Sequence, residues 1–225
     1  VLPKSVAKIG LYAFRNCPKL TIYAMADSAP EGWVADWNPN NRPVVWGYGQ
    51  EPEIEATPAS AFEYTSDGSA VTITKYIGDY TDVVIPNYID GLPVTAIDNR
   101  AFYMKERITR VMIGSNVKTI GESMFNCCYA LEEIIVDEEN TAYQSIDGNL
   151  YTKDGTTLIL YATAKTETSF TIPETVTKID SAFTWNQSLQ IIVLSDNVVT
   201  VGDYAFAACA NLTEIIWGKN VKTIG

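Results

Sequence analysis

Val117-Lys118-Thr119-Ile120-Gly121 is written a second time at Val221-Lys222-Thr223-Ile224-Gly225. Looser copies stand at Val6-Ala7-Lys8-Ile9-Gly10 and Val198-Val199-Thr200-Val201-Gly202. Five residues after the isoleucine or valine comes a phenylalanine: Ile9 to Phe14, Ile97 to Phe102, Ile120 to Phe125 and Val201 to Phe206. A fifth copy, Ile179 to Phe183, is one residue short. Six residues beyond each phenylalanine sits Leu20, Ile108, Leu131, Leu189 or Leu212. Phe102 and Phe125 are 23 residues apart, as are Phe183 and Phe206. Self-similarity at a period of about 20–29 residues belongs to chains that stack one short strand per turn.

The apolar positions say how such a turn folds. Leu131-Glu132-Glu133-Ile134-Ile135-Val136 reads as a short strand with Leu131, Ile134 and Val136 turned inward. Its counterparts are Ile108 to Ile113, Leu189 to Leu194 and Leu212 to Trp217. One such strand cannot bury its apolar side alone. Stacked about 4.8 Å apart, successive strands give each backbone group a ladder partner and build a continuous core. The Ile-Gly-x-x-(Ala/Ser/Met)-Phe segment is expected to return along the opposite side as a turn or short helix, dropping its Phe into that core. The predicted fold is therefore a solenoid of short parallel strands in a ladder, with turn or short-helix returns and β-rich cap segments.

Composition limits the chemistry. The 225 residues carry 16 Lys plus Arg against 27 Asp plus Glu, a net charge of −11, and no histidine. A negative surface repels nucleic acid and anionic membrane, and the lack of histidine removes Ser-His catalysis and His metal sites. No apolar run approaches the roughly 20 residues that span a bilayer, and Val1-Leu2-Pro3-Lys4 does not open a signal peptide. The acidic run Asp137-Glu138-Glu139, with Glu132-Glu133 upstream, lacks the alternating Asp-x-Asp-x-Asp-Gly arrangement of a cation loop and reads as a solvated loop. Neither a phosphate-cradling glycine loop nor a G-x-S-x-G turn occurs. Three of the four cysteines share one slot: Cys17, Cys128 and Cys209 each lie three residues after a phenylalanine. Lys105 and Asn186 fill that slot in the other copies, and Cys127 is extra. All four read as structural thiols, with no cofactor or metal implied.

The pattern Ile-Pro-x-x-Val-x-x-Ile-Gly-x-x-Ala-Phe-x-x-Cys-x-x-Leu resembles the BspA-like (Treponema pallidum-type) leucine-rich repeat family of bacterial surface proteins. The resemblance covers Leu2 to about Ala24 and Ile85 to Gly225. Tyr143 to Tyr151, followed by Asp154-Gly155-Thr156-Thr157-Leu158-Ile159, is similar to a variant repeat often interspersed in such arrays. Its turn signals, Asp147-Gly148 and Asp154-Gly155, make it a hairpin inserted into the stack. The resemblance implies a secreted or cell-surface protein that binds other macromolecules, without catalytic residues.

Three segments follow along the chain. Residues 1–49 read as a terminal repeat and a Trp-rich cap, with Trp33, Trp37, Trp46 and Tyr48 covering the open apolar end that every solenoid must shield. Residues 50–61, acidic and holding Pro52 and Pro58, read as a linker. Residues 62–225 read as a hairpin cap, with strands paired around Ser66-Asp67-Gly68-Ser69, and a second array cut in mid-repeat. Because Gly225 stands at the phase of Gly10, three explanations are open: a fragment of a longer array, end-to-end self-association through open repeat ends, or a chain start that completes the final repeat.

The candidate site is a surface. Outward strand positions alternate with core positions; one outward row reads Met112, Ile135, Val193 and Ile216, the other Arg110, Glu133, Ile191 and Glu214. An apolar stripe across neighbouring strands fits a protein or glycan partner, although cover from elsewhere in the protein, or β-propensity alone, also accounts for it. Tyr143, Tyr151 and Tyr161 of the inserted hairpin repeat are further candidates, since aromatics on loops stack on sugars or anchor proteins. The function read from these features is a non-enzymatic binding or adhesion module on a cell surface or secreted. The alternative is a carbohydrate-binding or spacer module appended to a larger surface enzyme.

Overall fold

Strict alternation of buried and half-buried residues in Arg110–Ile113 and Glu133–Val136 shows why these segments are strands: Val111, Ile113, Ile134 and Val136 go inward while their neighbours stay at the surface. The computed structural model describes residues 1–3, 5–46 and 55–225, and the chain divides into two units, Val1–Ile54 and Glu55–Gly225. Tyr48 and residues 50–54 of the expected linker lie outside the described residues.

The second unit is a β-solenoid whose turns each carry two strands. On one side Asp82–Val84, Arg110–Ile113 and Glu133–Val136 stack in parallel, with Val83, Val111 and Ile134 in register. Ser169–Thr171, Ile191–Val193 and Glu214–Ile216 form an equivalent stack, aligning Phe170, Ile192 and Ile215. On the other side the isoleucine of the Ile-Gly motif is itself a strand residue. Ile73, Ile97 and Ile120 align in one ladder, and Leu158, Ile179, Val201 and Ile224 in the next. The expected return thus begins with a second ladder.

Beyond that ladder the return is turn and not helix, because left-handed residues bracket the phenylalanine. Arg100 (φ 58°) and Met104 (φ 59°) flank Phe102, Ser123 (φ 56°) and Cys127 (φ 63°) flank Phe125, and Tyr204 (φ 58°) and Ala208 (φ 57°) flank Phe206. An α-helix needs φ near −63° throughout, so it cannot cross such a residue. Each left-handed non-glycine residue costs roughly 1–2 kcal/mol. The offset comes from a third ladder: the N–H groups of Arg100, Phe102 and Met104 donate to the carbonyls of Glu122 (3.2 Å), Met124 (3.1 Å) and Asn126 (3.0 Å) one turn along. In the short copy around Phe183 only Trp185 (φ 68°) is left-handed; the missing residue is the first of the pair.

Aromatic rings run through the core in two segments. Tyr76 and Phe102 stack with centroids 5.4 Å apart, and Phe125 follows at 5.1 Å. Tyr161, Phe183 and Phe206 follow one another at 5.4 and 5.7 Å. Tyr76 and Tyr161 therefore hold the phenylalanine position in turns whose motif is degenerate. Two separate clusters of buried side chains surround these rings, one running from Ala61 to Leu150 and the other from Tyr151 to Ala205. Phe62–Ser66 and Val71–Tyr76 pair antiparallel, the hairpin expected at the start of this array. Residues 55–61 are tied to the stack: Thr57 is buried, and its hydroxyl accepts the N–H of Val84 in the Asp82–Val84 strand at 2.9 Å.

In the first unit Ile22–Tyr23 pairs in parallel with Val44–Val45, and Leu2 bridges Ala24. Ile9, Ile22, Trp33 and Trp37 are buried, with Trp46 packed against them. The Trp33 indole N–H donates to the Val6 carbonyl at 2.9 Å, and Phe14 meets Trp37 edge-on at 6.0 Å. Within this unit the tryptophans shield a repeat.

The cysteine slot has a job in the ladder. The Cys128 thiol donates to the Phe102 carbonyl at 3.1 Å and the Cys209 thiol to the Phe183 carbonyl at 3.0 Å. Asn186, in the same slot, reaches the Thr163 carbonyl at 3.2 Å. All four cysteines are free, Cys17 exposed and Cys128 fully buried. Burial pushes the Cys128 thiol up to about 12, so at pH 8 only about one in ten thousand is thiolate, the reactive form. Ellman's reagent at pH 8 is therefore expected to modify Cys17 promptly and Cys128 only upon unfolding. Because the folded state holds this proton more tightly than the unfolded chain, the contribution is complete below the unfolded thiol value near 8.5 and is lost as pH rises toward 12. Prompt labelling of Cys128 in folded protein would refute this placement.

Candidate functional site

The outward strand positions lie where alternation puts them. Met112 pairs with Ile135, Arg110 with Glu133, Val193 with Ile216, and Ile191 with Glu214. All are half-buried except Glu214 and Ile216, which are exposed. Arg110 is clamped to Asp82 at 2.9 Å. The single stripe expected across four strands is instead two patches, Val84–Met112–Ile135 and Thr171–Val193–Ile216. The inserted hairpin separates them. Next to Glu133–Val136 stands its tip, where Gly148 accepts the Ile134 N–H at 2.9 Å and the Ser145 hydroxyl donates to the Ile134 carbonyl.

The tyrosines are corrected more sharply. Tyr143–Ile146, Asn149–Thr152 and Thr157–Leu160 make the antiparallel insert. Its central strand is buried on both faces, so Leu150 enters one core cluster and Tyr151 the other. Tyr151 is 1% exposed and Tyr161 2%, and burial raises both phenols, Tyr151 to about 12. Neither is available to a partner. Tyr143 is half-buried, and its hydroxyl accepts the Ile120 N–H at 3.0 Å. That N–H would otherwise look along the ladder to the next strand, so Tyr143 plugs the end of the ladder where the insert interrupts it. Trp33 and Trp37 are likewise committed to packing.

A feature missed from the sequence lies at this interruption. A crevice of about 260 Å³ opens between the turn of Phe125 and the insert. Phe125, Leu150, Ile159 and Leu160 give it apolar walls, with Glu122 on one side and Lys178 and Asp180 on the other. Lys178 and Asp180 pair at 3.5 Å, and Tyr129 meets Trp185 edge-on at 5.9 Å across the same interruption. The available signal was spacing: Tyr161 stands 22 residues before Phe183 but 36 after Phe125. The surplus over one 23-residue period is the length the insert uses to wedge two stacks apart.

The repeat geometry has a counterpart in sequence. Residues 1–30, 55–152 and 160–225 match the profile of the "BspA type Leucine rich repeat region", in six copies. The chain belongs to this family. One copy more is matched than the five legible from the Phe motif, and the BspA-type pattern extends over the hairpin that starts the second unit. The pneumococcal vaccine antigen PcpA is similar in structure, with a TM-score of 0.58 and 19% identity over 98% of this chain and 50% of that one. The BspA-type chain thus spans half the length of that protein. A leucine-rich cell surface protein of Faecalibacterium prausnitzii A2-165 is 17% identical, with a TM-score of 0.44, over 76% of this chain and 78% of that one. A T. pallidum leucine-rich repeat protein is 22% identical, with a TM-score of 0.40, over 75% of this chain and 86% of that one. No curated protein matches the chain. Among the described residues no helix is long and apolar enough to cross a membrane.

Proposed function

We propose that the chain is a non-enzymatic binding module, displayed on a cell surface or secreted, which takes a protein partner on its strand faces. The carrying observation is the Val193–Ile216 rung: two β-branched apolar side chains in register on neighbouring strands, with Ile216 47% exposed and Trp217 beside it 44% exposed. Apolar surface presented in register over successive turns is the kind of area that protein contacts desolvate. The family supports this reading, and the description of the structurally similar PcpA as a vaccine antigen supports the location. The tyrosines that the carbohydrate alternative would use in the insert, Tyr151 and Tyr161, are buried.

The test is the pair Ile135→Lys and Ile216→Lys. Both side chains leave the core free, so folding is expected to change by no more than about 0.5 kcal/mol each. Binding to an array of extracellular-matrix and serum glycoproteins is expected to fall at least tenfold. Unchanged binding by a folded double variant, or capture by a glycan array with no protein bound, would overturn the proposal.

A further inference from the structure

We propose that the crevice beside the insert is a second binding site, for a short peptide segment carrying an apolar side chain flanked by lysine or arginine. Ser123, Phe125 and Cys127 are the repeat equivalents of Arg100, Phe102 and Met104. In that preceding turn the three N–H groups donate along the stack at 3.2, 3.1 and 3.0 Å. Past the insert the arrangement resumes, with Phe183 and Trp185 donating to Ala205 and Ala207, both at 2.9 Å. At the crevice it stops. Among the described residues nothing accepts from the N–H of Ser123, Phe125 or Cys127.

The acceptors are diverted by the insert. By repeat phase Phe125 would donate to Leu160, whose strand pairs instead with the insert through Leu150. The neighbouring acceptors are also engaged: the Leu158 carbonyl takes the Asp180 N–H at 2.9 Å, and the Ala162 carbonyl takes the Lys165 N–H at 3.3 Å. Three donors at two-residue steps therefore look along the stack toward a gap, and Ser123 and Phe125 line it. Carbonyls of a peptide backbone match that step, because the carbonyls of the next turn are what the equivalent donors around Phe102 and Phe183 meet. An unpaired backbone donor gains more from a new acceptor than a paired one.

Side-chain chemistry narrows the occupant. Phe125, Leu150 and Leu160 offer an apolar wall for one side chain. Glu122 is exposed on one wall, and Asp180 stands on the other beside a single lysine. The rim is thus negative in balance, which opposes a carboxylate ligand and favours cationic flanks.

The ¹⁵N-labelled chain, titrated with Ac-Arg-Leu-Arg-NH₂, is expected to show saturable amide shifts confined to residues 120–127 and 178–181. Ac-Glu-Leu-Glu-NH₂ is expected to bind at least tenfold more weakly, and triacetylchitotriose not to bind there. Glu122→Lys, at an exposed side chain, is expected to reverse the order of the two peptides; Ser181→Trp, which fills the crevice, is expected to abolish binding. Absence of saturable shifts at these amides, shifts scattered over the acidic surface, an unchanged order in Glu122→Lys, or binding of the chitotriose alone would overturn the site. The Ile135→Lys, Ile216→Lys variant is expected to bind the peptide normally, so failure here and failure of the strand-face reading are separate results.

Discussion

Phe183→Ala is expected to lower stability by about 4 kcal/mol, the range for removing a fully buried phenylalanine, and to loosen the turns beyond the insert before those that precede it. The ring is 0% exposed and touches three others: Tyr161 at 5.4 Å, Phe206 at 5.7 Å and Phe170 at 5.9 Å. Alanine would leave all three facing a void. In a stacked repeat each turn is stabilised chiefly by its neighbours, so the loss spreads along the second cluster, from Tyr151 to Ala205. The first cluster meets it through the insert, where Leu150 and Tyr151 enter opposite clusters. Two native thiols report the two sides. Cys209 hydrogen-bonds within the second stack and Cys128 within the first. In Phe183→Ala, thiol labelling across a urea series should expose Cys209 at lower denaturant than Cys128. Simultaneous exposure of both thiols would mean that the insert couples the stacks rather than separating them.

The ladder was legible because its signals are local and repeated. Ile134 and Val136 alternate with Glu133 and Ile135 in a way that only a half-buried strand satisfies, and their inward and outward phases are as the pattern dictates. The Ile-Gly segment was harder. Its strand is two residues long, Thr119–Ile120, too short for a period of two to show, and the left-handed residues after it include Met104, Cys127 and Ala208, which carry none of the usual glycine or asparagine signal. Bonds to a neighbouring turn stand at or beside each of them: the Met104 N–H donates to the Asn126 carbonyl, next to Cys127, and the Trp185 N–H to the Ala207 carbonyl, next to Ala208. Tyr161 was read as an aromatic on a loop and Tyr76 was not singled out, because neither follows an intact Ile-Gly motif, whereas ring volume fixed both in the core. The crevice could not be read at all from side-chain types. It arises where a regular ladder meets an insert of different length, and the groups that matter there are backbone N–H groups that every residue but proline possesses.

Gly121→Val is expected to lower stability by about 3 kcal/mol or more, while Gly10→Val, at the same motif position, changes it little. The glycine of the Ile-Gly motif does not need an unusual backbone here; Gly121 is absent from the residues with positive φ. It needs room. A Cβ on Gly121 would fall inside the van der Waals envelope of the Asp98–Asn99 backbone in the preceding turn, and neither atom belongs to a side chain that can swing away. Around Gly10 nothing lies within 4 Å, and at Gly202 the nearest approach is 3.2 Å. Forcing atoms into a packed backbone contact costs 1–3 kcal/mol or more. The strain acts directly on two ladder bonds, from Gly121 N–H to the Ile97 carbonyl and from Glu122 N–H to the Asn99 side chain, both 2.8 Å. Gly202→Ala should fall between the two, since its nearest neighbours include the Asp180 carboxylate, which can shift. Urea unfolding of the three variants ranks them directly. Equal loss at Gly10 and Gly121 would show that the motif glycine answers to backbone entropy, and that turns are not held apart by the missing side chain. Because Gly121 and Glu122 also wall the crevice, a folded Gly121→Val protein is expected to lose the peptide-induced amide shifts as its turns separate.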